Sequence, residues 1–148
     1  MRRFRRPNQR GNAMVEFAIS FPVIAIMLAG IFQFGYTFYI YNGLQSAVRA
    51  GSRYASVADY DSPSGANFKT AVKNVVVYGK TSPVSGDKPQ VPGLTTSQVT
   101  VTDSNKDSKG IPINITVQIS NYTVNAVWKS YTFTNKPRST FRYLGQFK

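Results

Sequence analysis

The sequence predicts an α+β chain: a long N-terminal helix, membrane-spanning in its first half, packed on a small antiparallel β-sheet head with one shorter helix. Three observations predict it. No charged residue occurs from Phe17 to Val48. Apolar residues then recur at steps of three or four as far as Ala58, the spacing of one helix face. Beyond Val99 the period changes to two, the mark of half-buried strands. The expected organisation is a basic leader at 1–11, a long helix at 12–58 that crosses the membrane at about 17–41, and an extracytoplasmic head at 59–148.

The apolar run is most continuous from Phe17 to Tyr41, 25 residues. As a helix it extends roughly 37 Å, against a hydrocarbon core of about 30 Å. A cleaved secretory signal carries a shorter apolar run, about 7–15 residues. The length therefore points to a membrane anchor. Pro22 removes one helical hydrogen bond and predicts a kink. Gly30 and Gly35 are places where another helix could approach, or ordinary membrane-helix glycines.

Charge sets the direction of crossing. The 148 residues carry 18 Lys plus Arg against 6 Asp plus Glu, a net +12, and five of the arginines precede Gly11. Without residues 1–11 the basic count is 13 and the net charge +7. Arg49 and Arg53 are the first basic residues after the span. The positive-inside rule keeps the arginine-rich end cytoplasmic and places the C-terminal part outside. Tyr36, Tyr39 and Tyr41 fit the far interfacial belt. With neither Cys nor His, the chain has no disulfide, no Cys/His zinc site, no Cys nucleophile and no His base.

Glu16 is the only charge between Gly11 and Arg49. A carboxylate near a helix start is favoured by the macrodipole, by about 0.3–1 kcal/mol. An acid at the edge of hydrocarbon also usually has a partner. Cleavage after Gly11 would create one, the cationic α-amine of Asn12, on the same chain or a neighbour.

A basic leader, then Gly11-Asn12-Ala13-Met14-Val15-Glu16-Phe17, then an apolar helix resembles a prepilin of the type IV superfamily. The resemblance implies cutting after Gly11 by a prepilin peptidase, which makes Glu16 the fifth mature residue. Glu followed by an aromatic, here Phe17, is similar to the Flp/Tad branch. Gly30-Ile31-Phe32-Gln33-Phe34-Gly35 and Ala47-Val48-Arg49-Ala50-Gly51-Ser52-Arg53-Tyr54-Ala55 narrow it to the TadE-like minor pilins and pseudopilins. These carry a similar A-x-R-x-G-x-R-x-A sequence just beyond the span. Thr140-Phe141-Arg142-Tyr143 resembles the family's last strand. Gln33 stands where this branch often has Glu.

The head follows from local pattern. Tyr36, Ile40, Leu44, Ala47, Gly51, Tyr54 and Ala58 form the expected packing stripe of the long helix. Asn42, Gln45, Ser46, Arg49, Ser52, Arg53 and Ser56 form its other side. Arg49 and Arg53 are read either as solvated surface or as contacts for lipid headgroups or an acidic partner. Asp59–Gly65 is a breaker. A shorter helix then buries Phe68, Ala71, Val72, Val75 and Tyr78 and ends at Gly79, although Val75-Val76-Val77 is β-branched. Thr81–Gly93 reads as irregular loop. Val99 and Val101 open one strand; Ile111, Ile113, Ile115, Val117 and Ile119 form the inner face of the next, across a turn at Asp103–Gly110. A last strand is expected at Pro137–Leu144. The sheet's apolar face should lie on the long helix, giving a pilin-like head.

Other motifs carry less. Asp103-Ser-Asn105-Lys-Asp107 imitates half a calcium loop, but Ser108 and Asn114 stand where Gly and Glu are needed, so a polar turn is expected. Asn114-Ile-Thr116 and Asn121-Tyr-Thr123 are sequons beside strands. Trp128, Lys129, Tyr131, Phe133, Lys136, Arg138, Phe141, Arg142 and Tyr143 mix bases with aromatics, as a polyanion-binding surface does. Core and assembly contacts account for them better, and nucleic acid is not the expected partner. No enzyme activity, cofactor or metal is expected. The resemblance implies a prepilin peptidase, other pilin or pseudopilin subunits and the Tad-type machinery as partners, besides membrane lipid. It implies an inner-membrane, single-pass protein, or one carried into an extracellular pilus, that serves pilus assembly in adhesion, biofilm or secretion. The rivals are an uncleaved signal-anchored protein whose head binds a ligand, and a minor pilin for DNA uptake.

Overall fold

The computed structural model describes residues 10–61, 64–126 and 129–145. Of the expected leader, only Arg10 and Gly11 fall among them.

Helix α1 spans Arg10–Val57, 48 residues, unbroken through Pro22. At 1.5 Å per residue it is roughly 72 Å long. From Gly11 to Phe32 every residue is exposed except Ala25 and Ala29, which are half-buried. Packing starts at Gln33 and continues through Ile40, Leu44, Ala47, Val48, Gly51, Ser52, Ala55 and Ser56. The stripe is wider than the expected one. Ser52 and Ser56, assigned to the outer side, are buried. The second helix and the sheet both lie on α1, so two of its flanks are covered instead of one.

Helix α2 spans Ala66–Tyr78. Its first turn is held from outside the helix: the Asp61 carboxylate accepts the amide N–H groups of Asn67 and Phe68, both at 3.0 Å. That satisfies two donors the helix cannot bond itself and places negative charge at the positive end of its dipole. Gly79 closes it in the left-handed region at φ 74°, its N–H donated to the Val75 carbonyl. Val75, Val76 and Val77 are all buried, because α2 is wedged between α1 and the first strand. Burial on both sides outweighs the weak helical preference of a β-branched run.

Five strands follow: β1 Val99–Lys106, β2 Pro112–Ile119, β3 Tyr122–Asn125, β4 Ser130–Phe133 and β5 Arg138–Arg142. An antiparallel sheet runs β1-β2-β5, with Val101 opposite Val117 and Val117 opposite Ser139. β3 and β4 form a separate two-stranded hairpin, which the sequence reading did not anticipate. The turn between β1 and β2 is shorter than expected. β1 continues to Lys106, and Asp107 draws the turn in by accepting the amides of Lys109 and Ile111 at 2.9 Å each. The buried face of β2 is Ile115, Val117 and Ile119. Ile113 is 45% exposed while Pro112 beside it is fully buried, so the expected inner face of β2 holds only from Ile115 to Ile119. The result is the α+β, pilin-like shape: a bare helix rising into a head whose core lies between α1, α2 and the sheet.

Candidate functional site

Two stretches of α1 carry the expected site residues. Gly11 and Asn12 lie in the first turns, Glu16 and Phe17 one turn further, and all four are exposed. Among the described residues, the ring contact of Phe17 is with Phe21 of its own helix, at 5.5 Å. The structure therefore leaves the Gly11–Phe17 segment away from the head and does not bring it against Arg49–Tyr54.

The second stretch divides between two faces. Arg49 and Arg53 point to solvent, while Gly51 is buried and Tyr54 packs half-buried against the core. Gly51 is where α1 and α2 cross: a Cβ added there would stand 2.2 Å from Val76 Cγ2. Glycine fits this crossing because the fully buried Val76 side chain leaves no room for a methyl group, while the nearest backbone atom, the Val72 carbonyl oxygen, is at an ordinary 3.6 Å. Ala47 and Ala55, one turn to either side, are equally buried and keep the same close approach. The small residues of the A-x-R-x-G-x-R-x-A sequence are thus a packing seam, and its arginines are the outer rim.

A third element was missed in the sequence. Gln33 is 8% exposed, and its Nε2 donates to the Lys129 carbonyl at 2.9 Å. This bond ties the loop before β4 to α1. Phe133 on β4 adds a ring contact to Tyr41 at 5.3 Å, so Tyr41 is engaged by the head. The signal was present: Gln33 is the only side-chain amide between Asn12 and Asn42. A polar group in such a run is costly unless bonded. Two shallow apolar clefts flank the tie. One, of about 230 Å³, is lined by Ile26, Ala29, Gly30, Gln33, Lys129 and Tyr131. The other, of about 220 Å³, lies between Phe34, Thr37 and the rings of Tyr131 and Phe133.

At the opposite end of the head, Asp103 gathers three donors. Lys69 Nζ lies 2.8 Å from Oδ1, Lys106 Nζ 2.9 Å from Oδ2, and the Tyr60 hydroxyl donates to Oδ2 at 2.8 Å. Burial pushes the Asp103 carboxyl up, but the hydrogen bonds from Lys69, Lys106 and Tyr60 outweigh it and hold it well below the usual carboxylate range. Both oxygens thus face ammonium groups or a hydroxyl, which is a structural clamp and a poor cation site. Tyr60 also packs on Phe68 and Tyr143, and the Tyr143 hydroxyl donates to the Ala58 carbonyl at 2.9 Å, fastening the end of the chain to the end of α1.

Of the basic and aromatic residues near the C-terminus, Phe133 and Tyr143 are taken up in packing. Tyr131, Phe141, Lys136, Arg138 and Arg142 are exposed. Trp128 lies outside the described residues.

A protein-family comparison matches residues 11–53 to the family described as TadE-like protein. The match runs from the first turn of the bare helix through the Gly51 crossing. No curated protein and no solved structure matches the chain.

Proposed function

We propose, from the match of residues 11–53 to the TadE-like family, that the protein is a minor pilin or pseudopilin taking part in assembly of a Flp/Tad-type pilus. The observation that carries this reading is the bare stretch Gly11–Phe32. It is 22 residues of apolar helix, exposed except for the half-buried Ala25 and Ala29, continuous with a compact head. Exposed apolar area on this scale needs lipid or other helices around it. At roughly 33 Å, it matches a hydrocarbon core of about 30 Å.

In this reading the prepilin peptidase cuts between Gly11 and Asn12 and removes the arginine-rich leader. The new Asn12 amine and the Glu16 carboxylate then neutralise one another within the bilayer or between neighbouring helices. That offsets the desolvation of an acid among apolar groups. The head stays outside the cytoplasmic membrane, or travels with the filament, and selects which subunits and which parts of the Tad machinery fit. The role is structural, with no catalysis.

The test is the intact mass of the protein with and without a matched prepilin peptidase. A new terminus at Asn12, blocked by Gly11→Ala, is the expected result. An uncut leader, with a control substrate cut in the same reaction, would sink the pilin mechanism in favour of an uncleaved anchored binding protein.

A further inference from the structure

We propose that the β3–β4 hairpin is a membrane foot: it rests in the outer interface of the bilayer, where Lys129 meets anionic phospholipid headgroups and the cleft beside Tyr131 takes an acyl chain. The inference rests on the reading of α1 as a membrane span.

Three observations lead to it. The first is depth. Gln33 holds the Lys129 carbonyl, and the cleft behind that bond is lined by Ile26, Ala29 and Gly30, residues of the bare helix. The hairpin therefore overlaps the last turns of the apolar stretch. The second is that a two-stranded sheet with open edges cannot enter hydrocarbon, where its unpaired backbone groups would have no partner. Asn125, Ser130 and Thr132 are exposed as well, and polar. A span reaching Tyr41 would submerge this hairpin. A span ending near Phe32 puts it in the headgroup layer, which adds about 5–8 Å on each side of the core. The third is chemistry. Lys129 Nζ sits 5.9 Å from the centre of the exposed Tyr131 ring, pairing a cation and an amphipathic ring as an interface favours. The cleft beside them is mostly apolar in its lining, and its helix wall is Ile26, Ala29 and Gly30 of the bare stretch. A cation over an apolar groove matches one phospholipid: anionic headgroup above, chain below.

The chain has no cysteine, so single labels are clean. The full-length protein would be reconstituted in vesicles of phosphatidylcholine, with or without phosphatidylglycerol. An environment-sensitive fluorophore would be placed at Ala25→Cys, Ser130→Cys or Ser108→Cys. Depth is read by quenching from nitroxides at known positions on the lipid and from aqueous iodide. The proposal expects deep quenching at position 25, shallow-nitroxide quenching at 130, and iodide quenching alone at 108. It also expects stronger shallow quenching at 130 with phosphatidylglycerol, and loss of that increment in Lys129→Glu. Lys129 holds the helix through its backbone carbonyl, so this substitution leaves the fold intact.

A deep label at 25 with an iodide-accessible one at 130 would overturn the foot and leave the span standing. An aqueous label at 25 would remove the span itself, and the foot with it. A label at 130 shielded from iodide but untouched by every nitroxide lipid would mean that a second copy covers the hairpin, and would overturn the lipid assignment.

Discussion

Gln33 and Lys129 are 96 positions apart, yet the Gln33 side-chain amide donates to the Lys129 carbonyl and ties the loop before β4 to α1. The direction of this bond explains why an amide serves here: an ionised glutamate has no proton to give to a carbonyl. Gln33→Glu or Gln33→Leu should loosen the hairpin by about 0.5–1.5 kcal/mol, since a part-buried hydrogen bond is lost. Hydrogen exchange of the β3–β4 amides in detergent would check it. Unchanged protection in both variants would show that the bond holds nothing.

Gly51→Ala should destabilise the head by about 1–3 kcal/mol through overpacking against Val76. Val76→Ala should restore much of the loss when combined with it, because the clash is then relieved. A double-mutant cycle on thermal unfolding measures that coupling. Gly35→Ala is the control: nothing lies within 4 Å of a Cβ there, and no loss is expected.

Acid should weaken the head in a window set by Asp103. Its folded-state carboxyl is held below the ordinary value, so the unfolded chain binds a proton first. The stabilisation is complete above the unfolded value near 3.9 and fades as pH falls below it toward the folded value. Asp61 adds to the same limb, lowered by the amides of Phe68 and Asn67. Melting temperatures taken from pH 7 to pH 3 should fall most steeply below about pH 4. Asp103→Asn should flatten that limb; an unchanged slope would mean the clamp is not formed in solution.

Glu16→Ala separates the proposed assembly role from folding. Glu16 is exposed on the bare helix, away from the head core. Head stability should change by less than about 0.5 kcal/mol, while incorporation into pili or pilin complexes should be lost. Pulldown of partner subunits alongside a melting curve gives both readings. Normal assembly would remove Glu16 from the mechanism.

Much of this architecture is legible in the chain because it is written in periods. The uncharged run and the three-to-four spacing mark α1. Gly79 marks the end of α2 because only a residue at ease in the left-handed region closes the helix there. Alternation through Ile115, Val117 and Ile119 marks β2. The β3–β4 hairpin escaped because each strand is four residues long, too short for a period to show, and β4 lies within a basic and aromatic stretch that also suits a binding surface. Ser52 and Ser56 were misassigned for a different reason. Composition tells that a face is polar, but only tertiary structure tells that α2 and the sheet cover two flanks of one helix. The arginines, the glycine and the tyrosine of the 49–54 segment were visible as a pattern. Their division into seam and rim depends on where α2 crosses.

Because α1 passes without a break from its bare part into the head, the count of residues below Gln33 is also an azimuth. Each residue added or removed there would turn the head by about 100° about the helix axis and move it by about 1.5 Å. A single insertion would swing Arg49 and Arg53 to a different compass bearing while every contact inside the head survived. Seven insertions would bring the bearing back to within about 20° but lift the head by roughly 10 Å. The chain length of the bare helix thus acts as a dial as well as a ruler, and any neighbour that reads the head from one side reads that setting too.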